Sequence, residues 1–416
     1  MRGVDVAIIG AGAAGLSAAR ELSVAGVSVA VVEGRDRIGG RIFTRRDPRV
    51  PVPVELGAEF VHGAAPEVGR VARAAGLAVL DLCGGRFEPR GGRLAPLDGY
   101  LQRVDRVMRK LAAEFVQGFH AADLERISAR SLAEGGSPGQ DPTESLLGRV
   151  AGGYDRVPEW LARGIGPSIH LSTTVERVEW EPGGVALLVR SSVDGRASVV
   201  DARAAIVTVP IGVLNAAAGE PGAITFSPDV GPIHRASARL AMGAVARIAF
   251  WFTELPWDAR GVELAAGETT ASLAFLQTHA ADFPVWWSAH PARVPFAVAW
   301  SGGPPAAALS GLPLDEARGR ALRGLAGALG ISPRTVERRV VDAWTHDWQA
   351  DPFSRGAYSY ARVGGSTAGR SLARPVARTL FFAGEATDTH GRTGTVDGAI
   401  ASGRRAAGQV LRALRV

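Results

Sequence analysis

The chain opens with apolar runs that alternate with a helix-forming stretch. Residues 4–9 form an apolar, β-branched run typical of a strand buried in a parallel sheet. A helical stretch over residues 16–25 and a second apolar run over residues 27–32 follow directly. The order of strand, helix and strand predicts a βαβ unit at the start of an α/β fold.

Three glycines, Gly10, Gly12 and Gly15, lie at the start of the predicted helix. Gly10 permits a tight turn, Gly12 lets the backbone approach a pyrophosphate, and Gly15 lets the helix pack closely on the strand. Free N–H groups and the helix dipole then face the anion. Glu33 follows the second strand, where a carboxylate can accept hydrogen bonds from both ribose hydroxyls and repels a 2′-phosphate. The pattern predicts a ligand that contains adenosine diphosphate without that phosphate.

A second glycine turn comes shortly after Glu33. Gly39 and Gly40 precede Arg41, whose guanidinium is suited to clamp a pyrophosphate bidentately from the other side. Nicotinamide enzymes have no general need for such a clamp, so this turn makes a nicotinamide dinucleotide the less favoured ligand.

Further along, the pattern predicts a helix, a hairpin and several buried strands. Residues 100–116 carry apolar positions at helical spacing, and residues 134–143, rich in glycine and proline, predict a loop. Residues 169–180 and 186–193 alternate as strands do, and residues 181–184 join them in a hairpin. Residues 204–214 are expected to contain a buried strand that ends at Pro210, and other strands are expected at residues 248–252, 296–300 and 380–384. A last helix is expected to begin near residue 394.

Composition narrows the class of protein. The 416 residues, 46% of them hydrophobic, suffice for two domains with substantial cores. Of the 47 basic residues only Lys110 is a lysine, and the arginines are scattered among 41 acidic residues, so the net charge of +6 does not predict a nucleic-acid partner. The one cysteine, Cys83, excludes an internal disulfide and a cysteine-rich metal site, and no metal is expected.

The sequence also bears on location. It has no run of about 18 apolar residues, so no membrane-spanning segment is expected. A strand that begins at residue 4 leaves no room for a signal peptide. We therefore expect a cytoplasmic enzyme without a membrane partner, whereas the sequence does not indicate an oligomeric state.

Residues 4–41 resemble the start of the flavin-containing amine oxidase family, which includes monoamine oxidases, polyamine oxidases and lysine-specific histone demethylases. Residues 348–360, 380–387 and 394–403 match the family's C-terminal segments, so the resemblance covers nearly the whole chain. It implies a discontinuous Rossmann-type domain that binds FAD and an inserted α+β domain that binds the substrate. The FAD-binding domain is expected to comprise residues 1–68, 151–236 and 351–416, and the substrate-binding domain residues 69–150 and 237–350.

The resemblance assigns groups to each part of FAD. Val175 is expected over the adenine, and residues 54–63 along the flavin ring. The helix that begins after Gly394 is expected to point its N-terminus at the flavin pyrimidine ring and to stabilise the negative charge of reduced flavin. Besides the glycines, Glu33 and Arg41 named above, the expected cofactor contacts are Ala14, Arg35, Leu56, Gly57, Ala58, Glu59, Val175, Trp348, Tyr358, Gly384, Glu385, Gly394, Thr395 and Val396.

The resemblance also implies catalytic positions. Tyr358 is at one wall of the family's aromatic cage, and Thr395 stands where monoamine oxidases have the other tyrosine. Arg247 stands where many members carry a lysine that holds a water against flavin N5. An arginine can donate there but stays protonated, so it cannot act as a base; pairing with a surface carboxylate is the alternative for this side chain. Glu59 and His62 are the candidate acceptors for the substrate nitrogen.

These features predict an FAD-dependent amine oxidase. A hydride passes from the α-carbon of a neutral amine to the flavin, the imine hydrolyses to an aldehyde, and dioxygen is reduced to hydrogen peroxide. One alternative is an L-amino-acid oxidase or a desaturase on the same scaffold, since Arg247 can bind a carboxylate. Another is a flavin-holding binding protein without turnover, which the missing lysine would allow.

The first prediction concerns Ala357, which stands where some mitochondrial amine oxidases attach flavin through a cysteine. Without a thiol at that position, FAD is expected to be bound noncovalently. We expect acid precipitation of the purified yellow protein to release intact FAD, measured by absorbance and fluorescence of the supernatant. Flavin that remains with the precipitated chain would contradict this expectation.

Overall fold

The computed structural model describes residues 3–82, 84–97, 120–134 and 146–415. The predicted helix over residues 100–116, most of the predicted loop over residues 134–143, and Cys83 lie outside the described residues. Within the described ranges, no helix is long and apolar enough to cross a membrane.

The strands and helices are numbered in chain order. The strands are β1 (Val4–Ile9), β2 (Val29–Val32), β3 (Thr44–Arg45), β4 (Val54–Glu55), β5 (Phe60–His62), β6 (Val79–Asp81), β7 (Gly85–Arg90), β8 (Arg93–Pro96), β9 (Leu147–Val150), β10 (Ile169–His170), β11 (Thr173–Glu181), β12 (Gly184–Ser191), β13 (Ala197–Val207), β14 (Thr225–Ser227), β15 (Leu240–Met242), β16 (Val245–Phe252), β17 (Leu273–Gln277), β18 (Val285–Ser288), β19 (Phe296–Gly302), β20 (Val340–Thr345), β21 (Ser359–Ala361) and β22 (Leu380–Phe382). The α-helices are α1 (Ala13–Val24), α2 (Pro66–Ala75), α3 (Ala129–Glu134), α4 (Arg156–Leu161), α5 (Ile211–Leu214), α6 (Gly231–Ser237), α7 (Pro304–Ala307), α8 (Leu314–Leu329), α9 (Pro333–Glu337), α10 (Ala368–Leu372) and α11 (Val396–Leu414).

The first sheet is built around β1. This strand pairs in parallel with β2 on one side and β13 on the other, and β22 adds in parallel to β13. The strand order is β10-β2-β1-β13-β12-β11-β14. Val6 and Ile8 pack towards α1 and α11, whereas Ala7 and Ile9 pack towards α6 and α10 on the other face. The strand is therefore buried on both faces, as its apolar run predicts, and the predicted α/β class is confirmed.

Several element boundaries differ from the sequence expectation. The first helix begins at Ala13 rather than residue 16, because Gly12 already caps it. The second strand begins at Val29 because the N–H of Val27 still bonds the helix end at the Leu22 carbonyl. The expected hairpin over residues 181–184 is confirmed by the pairing of β11 with β12.

The strand expected to end at Pro210 already ends at Val207. Pro210 lacks the N–H that a sheet ladder needs, and the chain turns there into the short helix α5. The strand expected at residues 380–384 likewise ends at Phe382.

The second sheet has the order β20-β16-β19-β18-β17-β7-β8 and is antiparallel apart from the pairing of β7 with β17. Ile248 and Phe250 of β16 pack towards helix α8, in one core cluster. Ala249 belongs to the opposite cluster with Trp287, and Arg247 shares that face because side chains alternate along a strand. This second face lies against residues 54–60, so it borders the segment expected along the flavin ring. The division into two domains at the expected boundaries stays a prediction.

Helices α1 and α11 pack closely where both carry small residues. A Cβ on Gly403 of α11 would lie 2.2 Å from the carbonyl oxygen of Ala14. The hydroxyl of Ser17 donates to the carbonyl of Ile400 at 3.1 Å across the same interface. The start of α1, which belongs to the glycine turn, is therefore held by the last helix.

Substitutions at two glycines of α11, Gly403 and Gly408, test this packing. We expect Gly403→Ala to lower the free energy of unfolding by about 1–3 kcal/mol, since the added methyl meets backbone atoms. Gly408→Ala is the matched control, because its nearest neighbour is the flexible end of Arg412 at 3.5 Å. The control is expected to gain about 0.5–1 kcal/mol from helix propensity. Urea denaturation measures both, and equal effects of the two substitutions would refute the packing argument.

Candidate active site

Two glycine turns meet at the carboxyl end of β1. Gly10, with a φ of +104°, turns the chain, and Gly12 caps α1. Gly12 forms an isolated β-bridge with Gly39, whose N–H donates to the carbonyl of Ala11 at 2.8 Å. A Cβ on Gly40 would lie 3.3 Å from the Cα of Gly12, so side chains would crowd the space between the turns. The bare backbone of these turns fits a pyrophosphate.

The start of α1 completes this cradle. A Cβ on Gly15 would lie 1.9 Å from the carbonyl oxygen of Gly10, which is the close helix–strand contact that the sequence predicts. Ala13 and Ala14 fill the first turn with small buried side chains. The positive end of the helix dipole is therefore directed at the turn.

Glu33 is a buried carboxylate at the end of β2. Its Oε2 accepts a hydrogen bond from the N–H of Ala11 at 2.7 Å, and its Oε1 accepts one from the N–H of Arg35 at 3.0 Å. The N–H of Thr173 donates to the Glu33 carbonyl at 2.8 Å, and Val175 follows along the same strand. The structure thus brings together the glycine turn, Glu33 and the residue expected over the adenine.

A chain of side chains leads from Arg35 to the segment expected along the flavin. Arg35 donates to Oδ1 of Asp351 at 2.7 Å, and Oδ2 of Asp351 lies 2.8 Å from Nε2 of His346. The ring centres of His346 and Trp348 lie 4.2 Å apart. Nε1 of Trp348 donates to the carbonyl of Leu56 at 2.8 Å. Burial acts to raise the pKa of Asp351, but the hydrogen bond from His346 and the charge of Arg35 lower it to about 2.

Arg41 and Glu385 form the next contact along the site. Nη1 of Arg41 donates to Oε1 of Glu385 at 3.0 Å and to the carbonyl of Ala357 at 2.7 Å. Oε2 of Glu385 accepts hydrogen bonds from the hydroxyl of Ser359 at 2.7 Å and the N–H of Gly394 at 2.9 Å. Gly384, with a φ of +126°, turns the chain directly before Glu385. The residues that are expected to contact the pyrophosphate and the ribityl chain of FAD therefore lie together.

Helix α11 starts beside these residues. Thr395 is its N-cap: its hydroxyl accepts from the N–H of Gly398 at 3.0 Å and donates to the carbonyl of Arg392 at 2.6 Å. A Cβ on Gly394 would lie 3.6 Å from the ring of Tyr358, so glycine lets the tyrosine approach the helix start. The structure therefore gives the Thr395 hydroxyl a capping role, with Val396 as the first helical residue.

In the segment expected along the flavin ring, three consecutive residues, Leu56, Gly57 and Ala58, each form a hydrogen bond through the backbone. Besides the contact of Trp348 with Leu56, Nη1 of Arg247 donates to the carbonyl of Gly57 at 2.8 Å. The N–H of Ala58 donates to the carbonyl of Arg41 at 3.0 Å, and a Cβ on Gly57 would lie 2.0 Å from that same oxygen. Only a glycine allows this approach.

Arg247 is buried and its carboxylate partner is Glu59, which is also buried. The alternative of a surface carboxylate is therefore wrong. Glu59 also accepts from Nε of Arg149 at 2.8 Å and from Nε1 of Trp287 at 3.1 Å. Burial acts to raise the pKa of Glu59, but the charges of Arg149 and Arg247 hold it below its usual value. These donors favour a structural role for Glu59 over the role of proton acceptor.

Arg149 is a site residue that the sequence does not reveal. It lies on β9 opposite Phe60, and its guanidinium sits 5.0 Å above that ring. It also donates to the carbonyls of His290 and Ser288, which lie near the end of β18. No motif surrounds Arg149 in the sequence; only its place opposite β5 in the folded sheet brings it to Glu59.

His62 and Tyr358 are the remaining side chains that are expected to lie near the substrate. Burial lowers the pKa of His62 to about 4, so its imidazole is neutral at neutral pH. Its ring packs edge-on against Phe60, with ring centres 6.2 Å apart. Burial raises the pKa of Tyr358 above its usual range, so its phenol stays protonated. Both side chains thus offer an uncharged surface.

Comparison with known sequences gives a consistent result. The model of the flavin-containing amine oxidoreductase family matches residues 13–90 and 89–411. Lysine-specific histone demethylase 1 homolog 2 of rice (Oryza sativa subsp. japonica) is 30% identical over 456 aligned residues, which cover 98% of this chain and 57% of that protein. Polyamine oxidase 2 of Arabidopsis thaliana is 27% identical, with coverage of 98% and 88%. The chain spans little more than half the length of the demethylase.

Solved structures share the fold. Cyclohexylamine oxidase from Brevibacterium oxydans superposes with a TM-score of 0.76 at 20% identity, covering 100% of both chains. Wild-type putrescine oxidase bound to putrescine gives a TM-score of 0.73 at 21% identity, covering 99% of both chains.

At 20–21% identity, these likenesses show the fold alone. The family match is more specific, because it covers residues 13–90 and 89–411, which is nearly the whole chain. The chain belongs to the flavin-containing amine oxidoreductase family.

Glu33 provides a test of the adenosine site. We expect Glu33→Gln to weaken FAD binding by about 1–2 kcal/mol, because the contacts to ribose hydroxyls lose their charge assistance. Titration of the apoprotein with FAD, followed by flavin fluorescence, measures the dissociation constant. The control is Glu176→Gln, which removes an exposed carboxylate paired with Arg190. If both variants bind FAD as the parent does, Glu33 is not part of the adenosine site.

Proposed function

We propose that this protein is an amine oxidase that binds FAD noncovalently and oxidises a monoamine with an apolar substituent. The observation that carries the proposal is a continuous line of contacts from Glu33, through the two glycine turns and the pair of Arg41 with Glu385, to Gly394. Groups suited to a ribose, a pyrophosphate and an anionic ring follow one another in the order that FAD requires. When bound, FAD would take the electron pair of the amine's α-C–H bond and pass it to dioxygen.

The substrate nitrogen must be neutral for this reaction, although a free alkylamine has a pKa of about 10.4. His62 supports the neutral form because its imidazole, whose pKa burial lowers to about 4, adds no positive charge of its own, and a neutral imidazole is the kind of group that can accept a hydrogen bond from an amine. The positive charges of Arg149 and Arg247 act in the same direction, since they disfavour a nearby ammonium group. Tyr358 supplies an uncharged aromatic wall beside Gly394.

Arg247 favours amines over amino acids as substrates. An amino-acid oxidase needs a cation that can bind the substrate carboxylate, and Arg247 was the candidate for that role. Its two terminal nitrogens already donate to Gly57 and Glu59. A substrate carboxylate would have to compete with a carboxylate that is fixed in place.

The pairing of Arg247 with Glu59 also favours a monoamine over a polyamine. A second ammonium group on the substrate needs an acceptor, and Glu59 already has three donors from Arg149, Arg247 and Trp287. The relatives are named for amines of both kinds, from cyclohexylamine to putrescine. The aromatic side chains of Phe60, Phe275 and Trp287, which pack together with ring centres 5.3 to 6.2 Å apart, suit the apolar kind.

Anaerobic flavin reduction tests the proposal. The FAD-loaded protein is mixed without oxygen with cyclohexylamine, benzylamine, putrescine, spermidine, L-leucine and a peptide that contains methylated lysine. We expect the two apolar monoamines to bleach the flavin fastest, and hydrogen peroxide to appear when air is admitted.

Each other outcome has a defined meaning. Fastest bleaching by putrescine or spermidine would reject the monoamine preference. Bleaching by L-leucine alone would support an amino-acid oxidase, and bleaching by the peptide alone would support a demethylase. If FAD stays bound and no compound bleaches it, the protein is not an amine oxidase.

A further inference from the structure

We propose that Glu59 and Arg149 are positioning residues which fix Arg247 and set the local charge that tunes the reduction potential of the bound flavin. Arg149, Glu59 and Arg247 are called the buried triad below. The inference rests on the proposed binding of FAD and adds a role for residues outside the cofactor cradle.

The buried triad joins separate parts of the fold. Glu59 directly precedes β5, Arg149 lies on β9, and Arg247 lies on β16 of the second sheet. The side chains of Glu59 and Arg247 are each 7% exposed, and that of Arg149 is 16% exposed. Charges this far from water are stable only when they are paired and hydrogen-bonded.

Each guanidinium has a fixed orientation. The orientation of Arg149 is fixed by the hydrogen bonds that it donates to Glu59 and to the carbonyls of Ser288 and His290. Arg247 is set by Glu59, by the Gly57 carbonyl and by the face of the Trp287 ring, 5.4 Å from its central carbon. A planar guanidinium held at both terminal nitrogens cannot rotate without breaking these bonds.

One donor of Arg247 remains to be satisfied. Its Nε is buried and has no hydrogen-bond partner within the described part of the chain. A buried donor without a partner is unfavourable, so this N–H is expected to meet a group that the described residues do not supply. Arg247 also bonds Gly57, inside the segment expected along the flavin ring, so the bound cofactor or a water beside it is the natural partner.

The charges of the buried triad do not cancel. Two guanidiniums surround one carboxylate, so the unit carries an excess of one positive charge. A flavin gains negative charge when it is reduced, and a positive excess in a site of low dielectric stabilises that form. Loss of the Glu59 charge therefore makes the potential more positive, whereas loss of either arginine charge makes it more negative.

The sign of the shift is the test. The midpoint potential of the bound flavin is measured by anaerobic dye equilibration in the parent, Glu59→Gln, Arg149→Gln and Arg247→Gln. We expect a positive shift for Glu59→Gln and negative shifts for the two arginine variants. A shift of about 30 mV corresponds to a tenfold change in the preference for reduced over oxidised flavin, and we expect at least that much. A purely structural loosening of the site would move all variants in one direction.

Two further variants separate charge from folding. Glu59→Gln combined with Arg149→Gln restores the excess of one positive charge, and its potential is expected to return towards that of the parent. Arg247→Lys keeps the charge, so its potential is expected to stay closer to the parent than that of Arg247→Gln. If Glu59→Gln alone does not fold, Arg149→Gln is compared with the double variant: a charge effect predicts a potential closer to that of the parent in the double variant, whereas structural loosening predicts a larger shift than in Arg149→Gln. Arg190→Gln, which removes an exposed arginine paired with Glu176, is the control for non-specific shifts.

The outcomes distinguish this inference from the proposed function. If the parent protein binds no FAD, the proposed function fails. If the parent binds FAD but the potentials of the variants coincide, or shift with one sign, FAD binding stands and the inference about the buried triad is wrong.

Discussion

Buried carboxylates require donors, and this requirement organises the whole molecule. Glu33 joins the first glycine turn to the chain after β2. Glu59 joins Arg149 of β9 to Arg247 of the second sheet, and Glu385 joins Arg41 to the start of α11. Asp397 extends the same principle, because it accepts the N–H groups of Glu67 and Val68 at the start of α2 and an ion pair from Arg392. Each of these acids is at most 9% exposed. Removing any one of them would leave donors unpaired in two distant segments, so the position of the site depends on these contacts as much as on the sheets.

The cofactor cradle could be predicted because its parts are close in the sequence. Strand, glycine turn, helix, second strand and Glu33 follow one another, and each residue type has a steric or electrostatic reason to be there. The buried triad could not be predicted in the same way. Arg149 is 90 positions from Glu59, and Trp287 is 228 positions away, so only the pairing of β9 with β5 and the packing of the second sheet bring them together. Their local sequences carry no sign of that meeting.

Arg247 illustrates the boundary between these two cases. The resemblance located the position, and the chemistry of arginine excluded a base, but neither identified the partner. The structure shows a buried carboxylate that occupies the guanidinium and thereby weakens the case for a substrate carboxylate at the same place. Thr395 is a similar case: the resemblance gave it as a candidate catalytic residue, and the structure shows it as an N-cap, because its hydroxyl accepts a hydrogen bond from the N–H of Gly398 in α11. In both cases the structure shows a contact with a neighbour that pattern analysis does not reveal.

The contacts from Arg35 through Asp351, His346 and Trp348 to Leu56 join the two ends of the cofactor site. These contacts fix the adenosine end and the flavin end of the expected site relative to each other. Under the proposed function, contacts with the adenosine half of FAD would therefore help to hold the flavin ring, which is how an enzyme can use binding energy gained far from the reacting atoms. The unreactive half of the cofactor would then orient the reactive half.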